Sequence, residues 1–410
     1  MRDAQAGDGA LAADDSPIHI LSLATLFPDE TRPNFGIFVE KSMAALSRQP
    51  GVNLTVVAPV GMPPWPLSLH KRYAALRALP LQETWNGLTV LRPRFTLLPK
   101  VGARFNAAAI ARAVLPIARR MQGEGRLDVI DAQFFHPDGP AAHRIATALN
   151  LPFSAKARGA DISLWAQRPD TGPPILAAAE AATGLLSVGR ALKDDMIAVG
   201  MPASKIRVHY TGLDPQRFHP MDRAEARREW GLPDDAIVLL TVGAIIPRKG
   251  QSIVIEAMRN LPDTVHYVMA GGGDDAPRLQ AMAAAQGMAN RIRLLGPVPN
   301  AKLPSLYAAA DLMVLPSASE GLANAWVEAQ ACGVPLVLSD IAPAHEMIDA
   351  PDCGAIAAAE PKAIADAISA VLARPIDRQA LAERTRTRFC WERNGRELVA
   401  YLRGLAATGK

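Results

Sequence analysis

Two carboxylates, Glu320 and Glu328, stand eight positions apart in the stretch from Ser317 to Ser339, SASEGLANAWVEAQACGVPLVLS. The residues before them, DLMVLPS, read as a buried strand ending in a turn marked by Gly321, and LANAWVEAQACG then has helical spacing closed by Cys332 and Gly333. A helix that begins just past a strand's C-terminal end aims unpaired backbone N–H groups and the positive end of its dipole at one spot. That arrangement suits a phosphate or a sugar oxygen. Glu320 is expected at this mouth and Glu328 two turns in, within reach of a second part of one elongated ligand. The plainer alternative is an acidic turn residue followed by a solvated helix glutamate.

Arg248 and Lys249 form a second chemical pair, in AIVLLTVGAIIPRKG, between a strand and the helix SIVIEAMRN. Two cations beside a helix N-terminus make a candidate diphosphate clamp, although a basic pair at a helix start also commonly faces water. In the first half, His136, Asp138 and Gly139 follow the strand LDVIDAQFF, and Arg158, Gly159 and Asp161 end PFSAKARGADI in the same way. His136 is placed either facing a cleft or in the solvent-exposed or structural role more common for a lone loop histidine. Gly271 to Gly273, in HYVMAGGGDD, allow close backbone approach at another strand end.

These groups need a scaffold, and 410 residues with 49% hydrophobic content supply enough for two globular domains. No run approaches the roughly 18 apolar residues that a membrane-spanning helix needs. The start, MRDAQAGDGALAADDSP, is acidic where an export signal is basic, so a flexible tail over residues 1–16 and a cytoplasmic location are expected. Cys332, Cys353 and Cys390 match neither a disulfide framework nor a metal site. The net charge of +4 is mild. It suits anionic ligands, an anionic membrane surface, or nothing specific, and no nucleic acid is expected as a partner.

From Pro17 the chain alternates strand and helix: IHILSLA, FGIFVEKSMAALSR, VNLTVVAP. Such alternation implies mostly parallel sheets with ligands at the C-terminal strand ends, which makes the loop 27–36, FPDETRPNFG, a candidate site loop opening a helix at Gly36. No GxGxxG follows this strand, which argues against a nicotinamide or flavin enzyme. Residues 59–80 interrupt the pattern with five prolines, Trp65, and a basic cluster of His70, Lys71, Arg72 and Arg77. A second basic run comprises Arg92, Arg94, Lys100, Arg104, Arg112, Arg119 and Arg120, its last four on a helical pattern interrupted by Pro116. This region is read either as a face for anionic lipid headgroups or as solvated arginines on a packed helix. TGLLSVGR is read as a helix and KIRVHYTGLD completes this half; the alternation restarts after TGLDPQRFHP, residues 211–220. The expected division is 17–212 for a first Rossmann-like, acceptor-binding domain and 213–390 for a second, donor-binding one. A C-terminal helix, 391–410, is expected to pack back on the first.

Taken together, FPDETRPNFGIFVE, DGPAAHRIA, ARGADI, KIRVHYTGLDPQRF, VGAIIPRKG, YVMAGGG, the Glu320 to Glu328 spacing and EAQACGVPLVLSD resemble the family 4 glycosyltransferases. The resemblance runs from about Pro17 to about Leu405. It implies an α/β chain with the GT-B fold, two Rossmann-like domains facing a cleft. It implies a nucleotide sugar as substrate, with neither a cofactor nor a metal. Glu328 would accept from the donor's ribose hydroxyls, and Glu320 would lie beside the donor sugar. Backbone N–H groups of Gly321, Leu322, Ala323 and Asn324 would meet sugar or phosphate oxygens. Lys249, aided by Arg248, would bind the diphosphate and stabilise it as it leaves. Val298 would lie near the base, Gly243 would line the donor site, and Gly36 would let the first-domain loop approach the phosphates. Gln133, Asp138, Arg158 and Asp161 would lie on the acceptor side, with His136 in a polar role at the cleft.

Two positions depart from the family pattern. Ala244 stands where an arginine often follows the glycine of the VG pair, so Arg248 would supply that charge. Gln133 stands where DAHYFYPDG-like patterns carry histidine, with His136 three residues on. The expected function is retaining transfer of a sugar from a UDP- or GDP-sugar to a hydroxyl of a lipid-linked or surface glycan. The second reading is a nucleotide-sugar-binding protein without transfer.

Overall fold

A computed structural model describes residues 17–33, 35–98 and 102–408. The tail 1–16 and Lys100 lie outside the described residues. The continuous apolar runs become strands covered on both faces. In the first half these are β1 (Ile18–Leu23), β2 (Val52–Val57), β3 (Val60–Met62), β4 (Gln82–Trp85), β5 (Leu88–Leu91), β6 (Arg94–Thr96), β7 (Val129–Ala132), β8 (Phe153–Ala157), β9 (Gly184–Ser187) and β10 (Ile206–Val208). Eight form a sheet in the order β10-β9-β8-β7-β1-β2-β5-β4, parallel except for β4 against β5, while β3 and β6 pair as a small parallel ribbon. The second half builds β11 (Ile237–Val242), β12 (Val265–Ala270), β13 (Ile292–Gly296), β14 (Leu312–Leu315), β15 (Leu336–Ser339) and β16 (Gly354–Ala357). They make an all-parallel sheet ordered β13-β12-β11-β14-β15-β16. Parallel pairing requires a crossover after each strand, so the loops at the C-terminal ends gather on one edge of each sheet.

Three expectations are corrected. TGLLSVGR is not a helix: Gly184–Ser187 is the buried strand β9 between β8 and β10. A short apolar run has no periodicity to separate the two states, and here sheet pairing on both sides decides it. Pro116 does not interrupt its helix, which runs unbroken from Ala103 to Gly123. The missing N–H would have bonded the carbonyl of Arg112, and both residues are exposed, so water can satisfy that oxygen. Arg92 does not belong to a solvated basic face. It is fully buried, donating to Glu83 at 2.5 Å and to the carbonyl of Pro28 at 2.7 Å.

The chain crosses between the halves after β10. Leu213 bridges to Cys390, with Trp391 N–H donating to the Leu213 carbonyl at 3.1 Å. The helix Trp391–Thr408 then returns to the first half. Its Leu398, Leu402 and Leu405 join Ile18, Ile20, Val39, Met43 and Leu46 in one apolar cluster. A Cβ on Gly395 would lie 2.5 Å from the Ala45 carbonyl oxygen, so the last helix packs backbone-close on the helix Ile37–Ser47. The two sheets are thereby tied at one edge, with their loop-bearing ends facing each other.

Candidate active site

The turn Pro247–Lys249 after β11 ends at Gly250, whose φ is +72° and whose missing Cβ would overlap the Pro316 carbonyl oxygen after β14. Ala318 N–H also donates to the Arg248 carbonyl at 2.8 Å. Two loops some seventy residues apart in sequence are thus pressed together, and their charges meet. Lys249 Nζ donates to Glu320 Oε1 at 2.5 Å. The Arg248 guanidinium donates to the Ser319 carbonyl and lies 3.7 Å from the same carboxylate. Lys249 is 13% exposed and Glu320 9%, against 45% for Arg248, so the lysine is the sheltered cation. Gly243 sits beside it: a Cβ there would lie 3.9 Å from Lys249 Nζ.

Gly271 and Gly273 sit where backbone comes close at a strand end, as their sequence suggested. Their close approach is to the neighbouring loop, because a Cβ on Gly271 would overlap the Gly243 carbonyl and one on Gly273 the Ile245 carbonyl. Gly243 and Ile245 N–H groups donate to Ala270 and Gly272 carbonyls, each at 2.9 Å. These glycines therefore set the height of the Lys249 loop. Gly271→Ala, with φ at +152° and no room for a methyl group, is expected to cost about 1–3 kcal/mol of stability. Urea denaturation measures this, and an unchanged midpoint would show that the loop rearranges freely.

The helix after Glu320 starts at Asn324 and ends at Ala331, so Glu328 lies one turn in, rather than the two expected. Ala323 precedes it in extended conformation with no side-chain cap, which leaves the helix start open to a ligand. Leu322 and Ala323 pack with Val298 on the edge of the second half's core. A Cβ on Gly321 would lie 3.6 Å from the Arg158 carbonyl, so the opposite half comes close at this point. Glu328 Oε2 accepts from the Tyr307 hydroxyl at 2.9 Å. Burial pushes the Glu328 carboxyl above its usual range, while the Tyr307 bond and the Arg217 charge pull it back.

Across the cleft, the residues expected on the acceptor side are bonded to one another. Arg158 donates from Nε to the Gln133 carbonyl at 2.7 Å and from Nη2 to Gln133 Oε1 at 3.0 Å. Asp161 accepts from the N–H groups of Phe135 (3.1 Å), Gly159 (2.8 Å) and Arg158 (3.0 Å), clamping the loops after β7 and β8 together. Asp138 accepts from Thr25 N–H at 3.1 Å and so holds the loop after β1, its other oxygen having no partner among the described residues. Burial raises the Asp138 carboxyl to about 7. His136 is buried and stacked on Trp165, with ring centroids 4.7 Å apart. Burial lowers its imidazole to about 4, which keeps the ring neutral at ordinary pH. Gly36, with φ at +72°, opens its helix where a Cβ would overlap the Leu26 carbonyl, a constraint imposed within the protein itself.

Comparison with known proteins decides the family. Residues 42–217 match "Glycosyltransferase Family 4" and residues 222–388 match "Glycosyl transferases group 1". The chain is a family 4 glycosyltransferase. Among curated relatives, the transferase is 40% identical over 202 residues to D-inositol 3-phosphate glycosyltransferase of Geodermatophilus obscurus, a match covering 46% of this chain and 45% of that protein. It is 28% identical over 331 residues to the putative teichuronic acid biosynthesis glycosyltransferase TuaC of Bacillus subtilis, covering 78% and 81% respectively. Its fold is GT-B, like sucrose-phosphate synthase from Thermosynechococcus elongatus (TM-score 0.73, 20% identity, 95% of this chain and 100% of that one). Anabaena HepE in complex with UDP and glucose is similar at TM-score 0.70 and 19% identity, over 94% of this chain and 100% of that one.

The structure of the transferase adds groups that the sequence did not single out. Tyr307, inside the apolar run LPSLYAAA, carries the only polar atom of that run able to reach Glu328, and a buried tyrosine needs such a partner. Trp165, the partner of His136, lies on a π-helical turn, Asp161–Trp165, that no periodicity announces.

Proposed function

We propose that the transferase moves a sugar, with retention of anomeric configuration, from a UDP- or GDP-sugar to a hydroxyl of a lipid-linked or surface-glycan acceptor. One observation carries this reading: the sheltered Lys249 ammonium, the Glu320 carboxylate and the open start of the helix Asn324–Ala331 converge where the two halves approach. In the proposed complex, Glu328 accepts from the ribose hydroxyls, Val298 lies beside the base, and Gly243 with residues 321–324 backs the diphosphate and sugar. As the sugar–phosphate bond breaks, negative charge grows on the diphosphate. Lys249 meets that charge without reorganisation, with Arg248 adding longer-range field and no metal required. Glu320 keeps Lys249 aimed at the cleft and faces the sugar hydroxyls. His136 stays neutral and forms, with Trp165, a wall of the acceptor side. Gln133, Asp138, Arg158 and Asp161 hold that wall's loops in place. Incubation with a panel of UDP- and GDP-sugars tests the reading: slow release of UDP or GDP identifies the donor. Nucleotide binding with no release, with or without acceptors, would point to a binding protein.

An anionic membrane surface is the proposed carrier of the acceptor. β3 and β6 continue β2 and β5 past the C-terminal edge of the sheet, and their parallel pairing sends both following segments out at the same end. There Trp65 (79% exposed), Leu67 (57%) and Leu69 (60%) stand in water next to the exposed Lys71 and Arg72. Among the described residues no helix is long and apolar enough to cross a membrane. The transferase is expected to co-sediment at low salt with vesicles of phosphatidylcholine and phosphatidylglycerol, and not with phosphatidylcholine alone. Lys71→Glu and Arg72→Glu should each weaken this by about 1 kcal/mol or more. No binding at low salt would remove the membrane from the account.

A further inference from the structure

Arg217 lies on the segment that crosses between the halves. Asp214 Oδ1 pins its backbone, accepting from the N–H groups of Gln216 at 3.0 Å and Arg217 at 3.3 Å. The guanidinium lies over the Phe218 ring, 5.1 Å from its centroid, and Phe218 meets Tyr307 edge-on at 6.2 Å. Tyr307 in turn donates to Glu328. Arg217 Nη2 is shielded from solvent and has no hydrogen-bond partner among the described residues, although a buried charged donor normally has one. Arg217 lines the same crevice as Asn324, Glu328, Asn300 and Lys41.

We infer that Arg217 is a positioning residue of the donor pocket, holding Glu328 as the anion that ribose hydroxyls require and keeping one N–H free for the bound nucleotide. The inference rests on the reading of Glu328 as the ribose grip. A protonated Glu328 would turn one acceptor into a donor and lose the charge that strengthens the bonds. The groups facing that carboxyl are few. Tyr307 donates to it from the helix Leu303–Ala309, and Cys332 on its own helix is a thiol that burial keeps neutral. Lys41 lines the crevice from the first half, and Arg217 faces it from the crossing segment. Tyr307 and Cys332 are uncharged, and of the two cations lining the crevice, Lys41 and Arg217, it is Arg217 whose charge bears on Glu328.

The sign follows from burial. The Glu328 carboxyl is raised, so nucleotide affinity is present above its pKa and is lost as pH falls through it. Removing Arg217 raises it further, so the loss begins at a higher pH. Calorimetric titration with UDP and GDP at pH 8 and pH 6 tests this on the full chain. For whichever nucleotide binds, Arg217→Met is expected to weaken affinity more at pH 6 than at pH 8, by at most about tenfold for each unit by which the Glu328 pKa rises. Arg217→Lys should restore most of the loss. In a Glu328→Gln background, where position 328 no longer titrates, Arg217→Met should lose that added pH dependence. An equal loss at both pH values, or the same pH dependence in the Glu328→Gln background, would overturn the positioning role. If Glu328→Gln itself leaves binding unchanged, the ribose-grip reading fails and this inference with it. A weakened Glu328→Gln beside an unaffected Arg217→Met removes the inference alone.

Discussion

Lys249→Ala is expected to lower kcat by about a hundredfold or more, the scale for removing one preorganised group that meets developing charge. The argument is positional. Lys249 is the sheltered cation of its loop and faces the carboxylate of Glu320 across 2.5 Å, whereas Arg248 is spent on the Ser319 carbonyl and more exposed. A diphosphate already carries charge in the ground state, so part of the loss should appear as a higher KM. The part specific to the transition state appears in kcat. Arg248→Ala should cost less than Lys249→Ala. Lys249→Ala also leaves Glu320 with Arg248 at 3.7 Å as its remaining ion-pair partner among the described residues, so thermal unfolding must be followed alongside turnover. Turnover unchanged in a folded Lys249→Ala protein would remove the residue from the mechanism.

Glu328→Ala is expected to weaken UDP or GDP binding by about 10- to 100-fold. Hydrogen bonds to a charged group contribute about 1.5–3 kcal/mol, and each 1.4 kcal/mol is a factor of ten. Because the ribose does not react, the loss should fall on donor affinity, with kcat at saturating donor changed far less. Tyr307 would lose its buried acceptor, so Glu328→Gln, which keeps a polar oxygen near the hydroxyl, is the gentler variant. Titration calorimetry reads the effect directly. Affinity equal to the parent's would place the ribose elsewhere.

The runs IHILSL, IVLLTV and LMVL announce buried parallel strands because both faces of such strands are covered, and the loops that follow them are where the polar groups lie. Glu320, Glu328, Arg248 and Lys249 were therefore legible as candidates. Their pairing was not. Lys249 meets Glu320 because Gly250 presses on Pro316 and Gly271 on Gly243, contacts between loops of different strands that no local spacing records. The close backbone approach at Gly271 and Gly273 was legible, but not that the neighbouring loop makes it. β9 was misread because four buried residues carry no period. Tyr307 was missed because its partner, Glu328, lies on another element and nothing near the tyrosine points to it.

The central claim is that the sugar leaves and is captured on one face, with charge on the departing diphosphate met by Lys249 and no enzymic base required. His136, neutral and stacked on Trp165, fits that scheme as a wall. Once the panel of nucleotide sugars has identified the donor, proton NMR of the first product formed tests the claim most directly. The account requires the new glycosidic bond to have the same anomeric configuration as the donor. An inverted product would contradict it, and would demand an enzymic base on the acceptor side.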